Sequence, residues 1–207
     1  ARLRWVFFCV VSDHFYAART HWVTIPDIAA MYRYTLKYKG LNGDYSIGAM
    51  ANDIDFVARA LELTRFILVG HSMGGSVSIE YAGRHPKKVA GLLLADPSGD
   101  ARKLPAGQIE PFMAALDSDS YSRTVEEYWK AMLAESNPSI QERVLEDMRT
   151  TEKEVVIGVL RSTLSFNPIA ALLRYPGKKL SVITHLNDTP ISLHNLLPDL
   201  PHVSVSG

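Results

Sequence analysis

Short, continuous apolar runs punctuate the first half of the chain, at residues 5–11, 22–25, 66–69 and 89–95. Such runs predict strands buried on both faces. Residues 46–63 behave differently. They place Ile47, Met50, Ile54, Val57, Ala58 and Leu61 at helical spacing, with Ser46 positioned as a cap. Residues 34–44 are polar, carry two glycines and read as loop. Residues 75–83 predict a helix that stops at Gly83, and His85-Pro86 breaks the chain before the run at 89–95. Alternating strands and helices imply a parallel sheet covered on both faces.

After Asp96-Pro97-Ser98-Gly99 the pattern changes. Helical segments follow at 109–116, 124–134, 139–149 and 152–164, separated by loops rich in Ser, Asp, Asn and Pro. Strand patterning resumes at 180–183 and again at 203–206. The expected organisation is therefore an α/β core, residues 1–99 and 176–207, with residues 100–175 inserted as a helical cap. The cap carries Phe112, Met113, Tyr128, Trp129, Met132 and Met148. Most of this stripe reads as packing, and part of it as the roof of an apolar pocket.

Composition narrows the picture only modestly. A 207-residue chain with 47% hydrophobic and 21% charged residues is an ordinary globular protein. Its 22 basic and 22 acidic residues balance, so charge steers it toward neither nucleic acid nor an anionic membrane. One cysteine, Cys9, excludes an intramolecular disulfide and Cys-rich metal sites, and its apolar surroundings suggest a buried thiol. No run is long enough for a membrane span, and the apolar stretch 4–11 is better read as a strand than as a signal sequence. The sequon Asn187-Asp188-Thr189 reads as incidental, and a cytoplasmic location is expected.

The chemistry is concentrated in Gly70-His71-Ser72-Met73-Gly74, followed by Gly75. This is G-x-S-x-G between a predicted strand and a predicted helix. A serine on so sharp a turn is held in strained backbone geometry with its hydroxyl clear of the sheet. The N–H of Met73 opens the helix, where a backbone donor and the helix dipole would stabilise an oxyanion.

Residues 44–99, with this motif at their centre, resemble the α/β-hydrolase superfamily, in its capped esterase, bromoperoxidase and C–C hydrolase branch. The stretch VTIPD at 23–27 resembles the strand before that family's glycine loop, and 180–207 resembles its last two strands. The resemblance implies an α/β-hydrolase fold and a triad ordered Ser, Asp or Glu, His. Ser72 matches the nucleophile. Asp188, in the loop after the strand at 180–183, matches the acid, with Asp96 at the end of the 89–95 strand as the alternative. The family's histidine follows the final strand, and the chain reaches Gly207 first. His14, His21, His71, His85, His185, His194 and His202 do not match that position, and His185, His194 and His202 read as ordinary polar or loop residues. With Ala1 at one end and a strand at the other, polypeptide beyond both ends is expected. For the oxyanion hole the family adds a second N–H beside a His-Gly pair. Val11-Ser12-Asp13-His14-Phe15 lacks that pair, which leaves Met73 as the defensible donor and His14 or Phe15 as weak substitutes.

Two functions are thus expected in competition. One is a serine hydrolase of a small apolar carboxylic ester, working through an acyl-enzyme at Ser72 without metal or cofactor. The other is a catalytically impaired relative that binds a small apolar ligand. A serine in place of aspartate argues against dehalogenase and epoxide hydrolase chemistry.

Overall fold

A computed structural model describes residues 4–11, 14–19 and 44–206. The expected strand at 22–25 and the loop at 34–43 lie outside the described residues.

The described strands are β1 (Arg4–Val11), β2 (His14–Arg19), β3 (Phe66–His71), β4 (Val89–Ala95), β5 (Lys179–Thr184) and β6 (His202–Val205). They form one six-stranded sheet in the order β2-β1-β3-β4-β5-β6. Every neighbouring pair is parallel except β1 and β2, which form an antiparallel hairpin. That hairpin is absent from the sequence pattern, which assigns residues 14–19 to no element. The register aligns Cys9, His71, Ala95, Val182 and Val203 in one row across the sheet. The C-terminal ends of β1, β3, β4, β5 and β6 therefore open on the same edge, where open α/β sheets bind ligands.

Helix α1 (Ile47–Ala60) is amphipathic, as its spacing predicts. Ile47, Met50, Ala51, Ile54 and Ala58 are buried, and the Ser46 hydroxyl accepts from the Ala49 N–H at 3.0 Å. Helix α2 (Met73–Arg84) has no solvent face over most of its length, because every residue from Gly74 to Ala82 is buried. Its small residues, Gly74, Gly75, Ser76, Ser78 and Ala82, let it sit close to the sheet. The buried Glu80 is offset by Arg84 at 2.7 Å and Arg174 at 2.8 Å.

A 3₁₀ turn (Ala101–Lys103) leads into α3 (Ala106–Leu116), α4 (Tyr121–Met132), α5 (Pro138–Thr150) and α6 (Lys153–Ser165). These match the four expected helices with ends moved by one to three residues, the scatter typical of frayed termini. Two shorter helices, α7 (Pro168–Leu173) and α8 (Leu193–Leu196), are not visible in the pattern, which one or two turns cannot carry. Asn137 caps α5 and Asn167 caps α7, each just before a proline at the first helical position.

Two apolar clusters form. The larger joins α1, α2, β3, β4, α7 and α8, with Phe66, Leu68, Ile79, Tyr81, Leu94 and Leu172 at its centre. The smaller is built by α3 to α6 from Leu116, Val125, Met148 and Ile157, with Phe112, Met113 and Trp129 against it. Residues 166–175 pack with the larger cluster, since Phe166, Ala171, Leu172 and Tyr175 all belong to it. The two layers meet where the Ser162 hydroxyl accepts from the Ile47 N–H at 2.7 Å and where Gly158 lies against the Tyr45 ring. No helix among the described residues is long and apolar enough to cross a membrane.

On α1, Asp55 gathers Lys88 at 2.7 Å, Arg59 at 3.2 Å and the hydroxyl of the buried Tyr81 at 3.3 Å. The Lys88 bond, above all, holds the Asp55 carboxyl below the usual carboxylate range. A carboxylate depressed in the folded state adds stability above its unfolded value, and that stability is lost as pH falls through the folded value. Asp55→Asn is expected to cost about 1–2 kcal/mol at neutral pH. Denaturant melts should show the difference from the parent shrinking once pH drops below about 4.

Candidate active site

Ser72 lies between β3 and α2 with φ 49° and ψ −123°, left-handed backbone that a non-glycine residue adopts only under constraint. The constraint comes from both sides. The Ser72 N–H donates to the Ala95 carbonyl at 3.1 Å, and the Ser72 carbonyl accepts from Gly75 at 2.9 Å and Ser98 at 3.2 Å. Strand, helix and the loop after β4 thus all grip one residue. The glycines allow this. A Cβ on Gly70 would run into the Gly74 carbonyl and the Ser78 hydroxyl, and one on Gly75 would lie 3.0 Å from Pro97. Met73 is the first residue of α2, so its N–H belongs to the set that a helix leaves without an internal acceptor. Ser72 and Met73 are both half-buried.

Asp96 follows β4 and also has positive φ, 46°. Its carboxylate is fully engaged. It accepts from the Thr184 N–H at 2.8 Å, the Thr184 hydroxyl at 2.9 Å and the Asn187 amide at 2.7 Å. Asp96 therefore fastens the end of β4 to the end of β5, and its partners include no histidine. The amide of the formal sequon at Asn187 is one of its donors.

Asp188 lies in the loop after β5, where the sequence pattern puts the acid. Its Oδ1 accepts from the Asn195 amide at 2.9 Å and meets His194 Nε2 at 3.1 Å. The sequence reading of His194 as an ordinary polar residue is corrected here. His194 is only 7% exposed, stacks on His202 with ring centroids 4.3 Å apart, and leaves Nδ1 with no hydrogen-bond partner. His202 is likewise more than a loop residue, since it opens β6 and backs that ring. The six-residue spacing from Asp188 across a proline gives no periodic signal, so only folding could reveal the pair. His185 follows β5, its N–H donating to Val205. His71 ends β3 with an exposed side chain, and His85 follows α2 against the Tyr81 ring. His21 lies outside the described residues. His14 and Phe15, the weak candidates for a second oxyanion donor, stand in β2 opposite Val11 and Val10.

The loop after β4 reaches the Asp188 loop directly. The Asp100 N–H donates to the Ile191 carbonyl at 2.9 Å, Gly99 packs on the Ile191 backbone, and the buried Asp100 carboxylate is held by Arg102 through two bonds of 2.7 and 2.8 Å. Through Ser98 and Asp100, the strained serine and the Asp188 loop share one scaffold.

Among α3, α4 and α6 lies an open apolar cavity of about 290 Å³, lined by Leu104, Gln108, Ile109, Phe112, Tyr128, Leu160 and Leu164. Phe112 and Tyr128 of the sequence stripe face it, Phe112 also packing against the small core with Met113, Trp129 and Met148. Burial pushes the Tyr128 phenol up, so it stays protonated at neutral pH.

The strained serine turn between a strand of a mostly parallel sheet and a buried helix defines a class of protein. The family model described as alpha/beta hydrolase fold matches residues 6–167, and the chain belongs to that family. A hydrolase from Oleispira antarctica superposes with a TM-score of 0.68 at 14% identity, over 80% of this chain and 65% of its own. A bromoperoxidase from Bacillus anthracis gives 0.65 at 16% identity, over 79% and 67%. An uncharacterized protein of Mycobacterium tuberculosis, Rv2715, is 38% identical over 56 residues, which is 27% of this chain and 16% of that protein. The matched segment thus spans about a sixth of that relative.

The packing at Gly70 has a direct consequence. Gly70→Ala is expected to destabilise the fold by about 3 kcal/mol, because the new methyl meets backbone that cannot move without releasing the turn. Gly107→Ala in α3, where a Cβ meets nothing within 4 Å, should be neutral or stabilising by up to about 1 kcal/mol. Urea titrations of the two variants test the contrast.

Proposed function

We propose that this protein is a serine hydrolase acting on a small apolar carboxylic ester, with Ser72 as nucleophile, Met73 as oxyanion donor and Asp188 as acid. The observation that carries the reading is the positive φ of Ser72, which strand, helix and the loop after β4 jointly enforce. In this reading Ser72 Oγ attacks the ester carbonyl as its proton passes to a histidine base that Asp188 orients. The Met73 N–H stabilises the oxyanion. The base then protonates the departing alcohol, leaving an acyl-enzyme. Water, deprotonated by the same base, attacks the acyl carbon and restores Ser72. The base is a histidine other than His194, whose free nitrogen is buried without a partner.

The helical excursion, residues 100–175 in the sequence, serves as a cap in this proposal. Its apolar cavity suits the hydrocarbon part of an ester, while Gln108 and Tyr128 supply polar edges. The hydrolases among the structural neighbours support the reaction class, and the chemistry itself needs no metal or cofactor.

A second reading, a ligand-binding relative without turnover, draws on one observation. The histidine that meets Asp188 does so from the buried side and does not bridge to Ser72.

Intact mass after incubation with a fluorophosphonate separates the two. The hydrolase reading expects one adduct, mapped to Ser72 and absent from Ser72→Ala. Asp188→Asn should retain the fold and lower turnover of an aryl ester by roughly a thousandfold or more. No adduct on the unaltered protein favours the ligand-binding reading.

The cavity makes a separate demand. Leu160→Trp, which fills it, should raise KM for butyrate and hexanoate esters more than for acetate. Steady-state kinetics across the ester series tests this.

A further inference from the structure

We propose that His194 and Asn195 are positioning residues for Asp188, which together hold its carboxylate by Oδ1 and leave Oδ2 for the catalytic base. The inference rests on the hydrolase reading above and extends it to two residues outside the expected triad.

Both side chains reach one oxygen. The Asn195 amide lies 2.9 Å from Asp188 Oδ1 and 2.9 Å from the Thr189 carbonyl, so it ties the carboxylate to the backbone of its own loop. His194 Nε2 lies 3.1 Å from the same oxygen. A carboxylate that must orient a histidine needs its rotamer fixed without both oxygens being consumed. One hydrogen bond and one imidazole contact, both on Oδ1, meet that need. Asp96 offers the contrast, since its donors occupy both oxygens.

The burial of His194 supports the same conclusion. Nε2 lies against Asp188, and Nδ1 has no hydrogen-bond partner in a side chain only 7% exposed. A buried unsatisfied nitrogen costs free energy that leucine at this position would avoid. The feature that offsets it is the close contact with the Asp188 carboxylate. The ring is also well braced. His202, at the start of β6, stacks on it, and α8 presents it from a loop closed by Ser192, whose hydroxyl accepts from the Thr189 N–H at 2.9 Å and donates to the Asn187 carbonyl at 3.2 Å. The acid loop, α8 and the edge strand thus meet at one histidine.

Aryl-ester kinetics and thermal melts on Asn195→Ala, His194→Ala, His194→Gln and Asp188→Asn test the proposal. Asn195 is exposed, so its variant should fold. We expect kcat to fall about tenfold in Asn195→Ala and His194→Ala with KM unchanged. His194→Gln should recover most of the loss, because the glutamine amide reaches the place of Nε2. If Asp188→Asn abolishes turnover while Asn195→Ala leaves kcat at the parent value, the positioning role is overturned and the acid assignment stands. Should His194→Ala not fold, the Asn195→Ala and His194→Gln results decide. Full activity in Asp188→Asn would sink the acid assignment and the positioning role together.

Discussion

The backbone strain at Ser72 is the point on which the rest of this molecule turns. A left-handed residue between a strand and a helix is unfavourable by itself and persists only where neighbours over-determine it. Here β4 accepts its N–H, α2 and the loop after β4 donate to its carbonyl, and glycines at 70 and 75 remove the side chains that would forbid the approach. The buried helix α2 follows from the same requirement. A helix that starts immediately at the sheet edge must lie flat on the sheet, and its run of small residues makes that contact close.

From this turn the organisation spreads along the C-terminal edge. Asp96 fastens β4 to β5, Ser98 binds Ser72, and Asp100 binds the backbone of the loop that carries Asp188. Short polar contacts thereby connect elements far apart in sequence. The proposed nucleophile stands at a rigid strand end, and the proposed acid lies in a loop tied to the same scaffold where Asp100 donates to Ile191, the support that precise chemistry requires. Helices α3 to α6 have their own small apolar cluster and meet the core at points such as Ser162 with Ile47 and Gly158 with Tyr45. A layer built in this way can vary its cavity without disturbing the turn beneath.

Much of this was legible in the chain. The strands at 66–71 and 89–95, the helix capped by Ser46, the turn at Ser72 and the four long helices after residue 100 each arise from local pattern. Continuous apolar runs, helical periodicity and glycine placement act over a few residues, and no distant partner is needed to recognise them. Elements without such a local signature were invisible: the hairpin strand at 14–19 and the one- or two-turn helices at 168–173 and 193–196.

The roles of the polar residues divide along the same line. Ser72 and Met73 could be singled out because their geometry is imposed by immediate neighbours. The sequence placed Asp96 and Asp188 both after strands and could not rank them by environment. Folding distinguishes them, since Asp96 spends both oxygens on Thr184 and Asn187, whereas Asp188 meets a histidine. That histidine, His194, lies on a four-residue helix beyond a proline, and its stacking partner His202 comes from another strand. Local sequence therefore determined the elements and the strained serine, because those depend on short-range sterics and hydrophobic spacing. Tertiary structure alone decided which carboxylate, which amide and which imidazole share a site, because burial and hydrogen-bond partners exist only once distant segments have met.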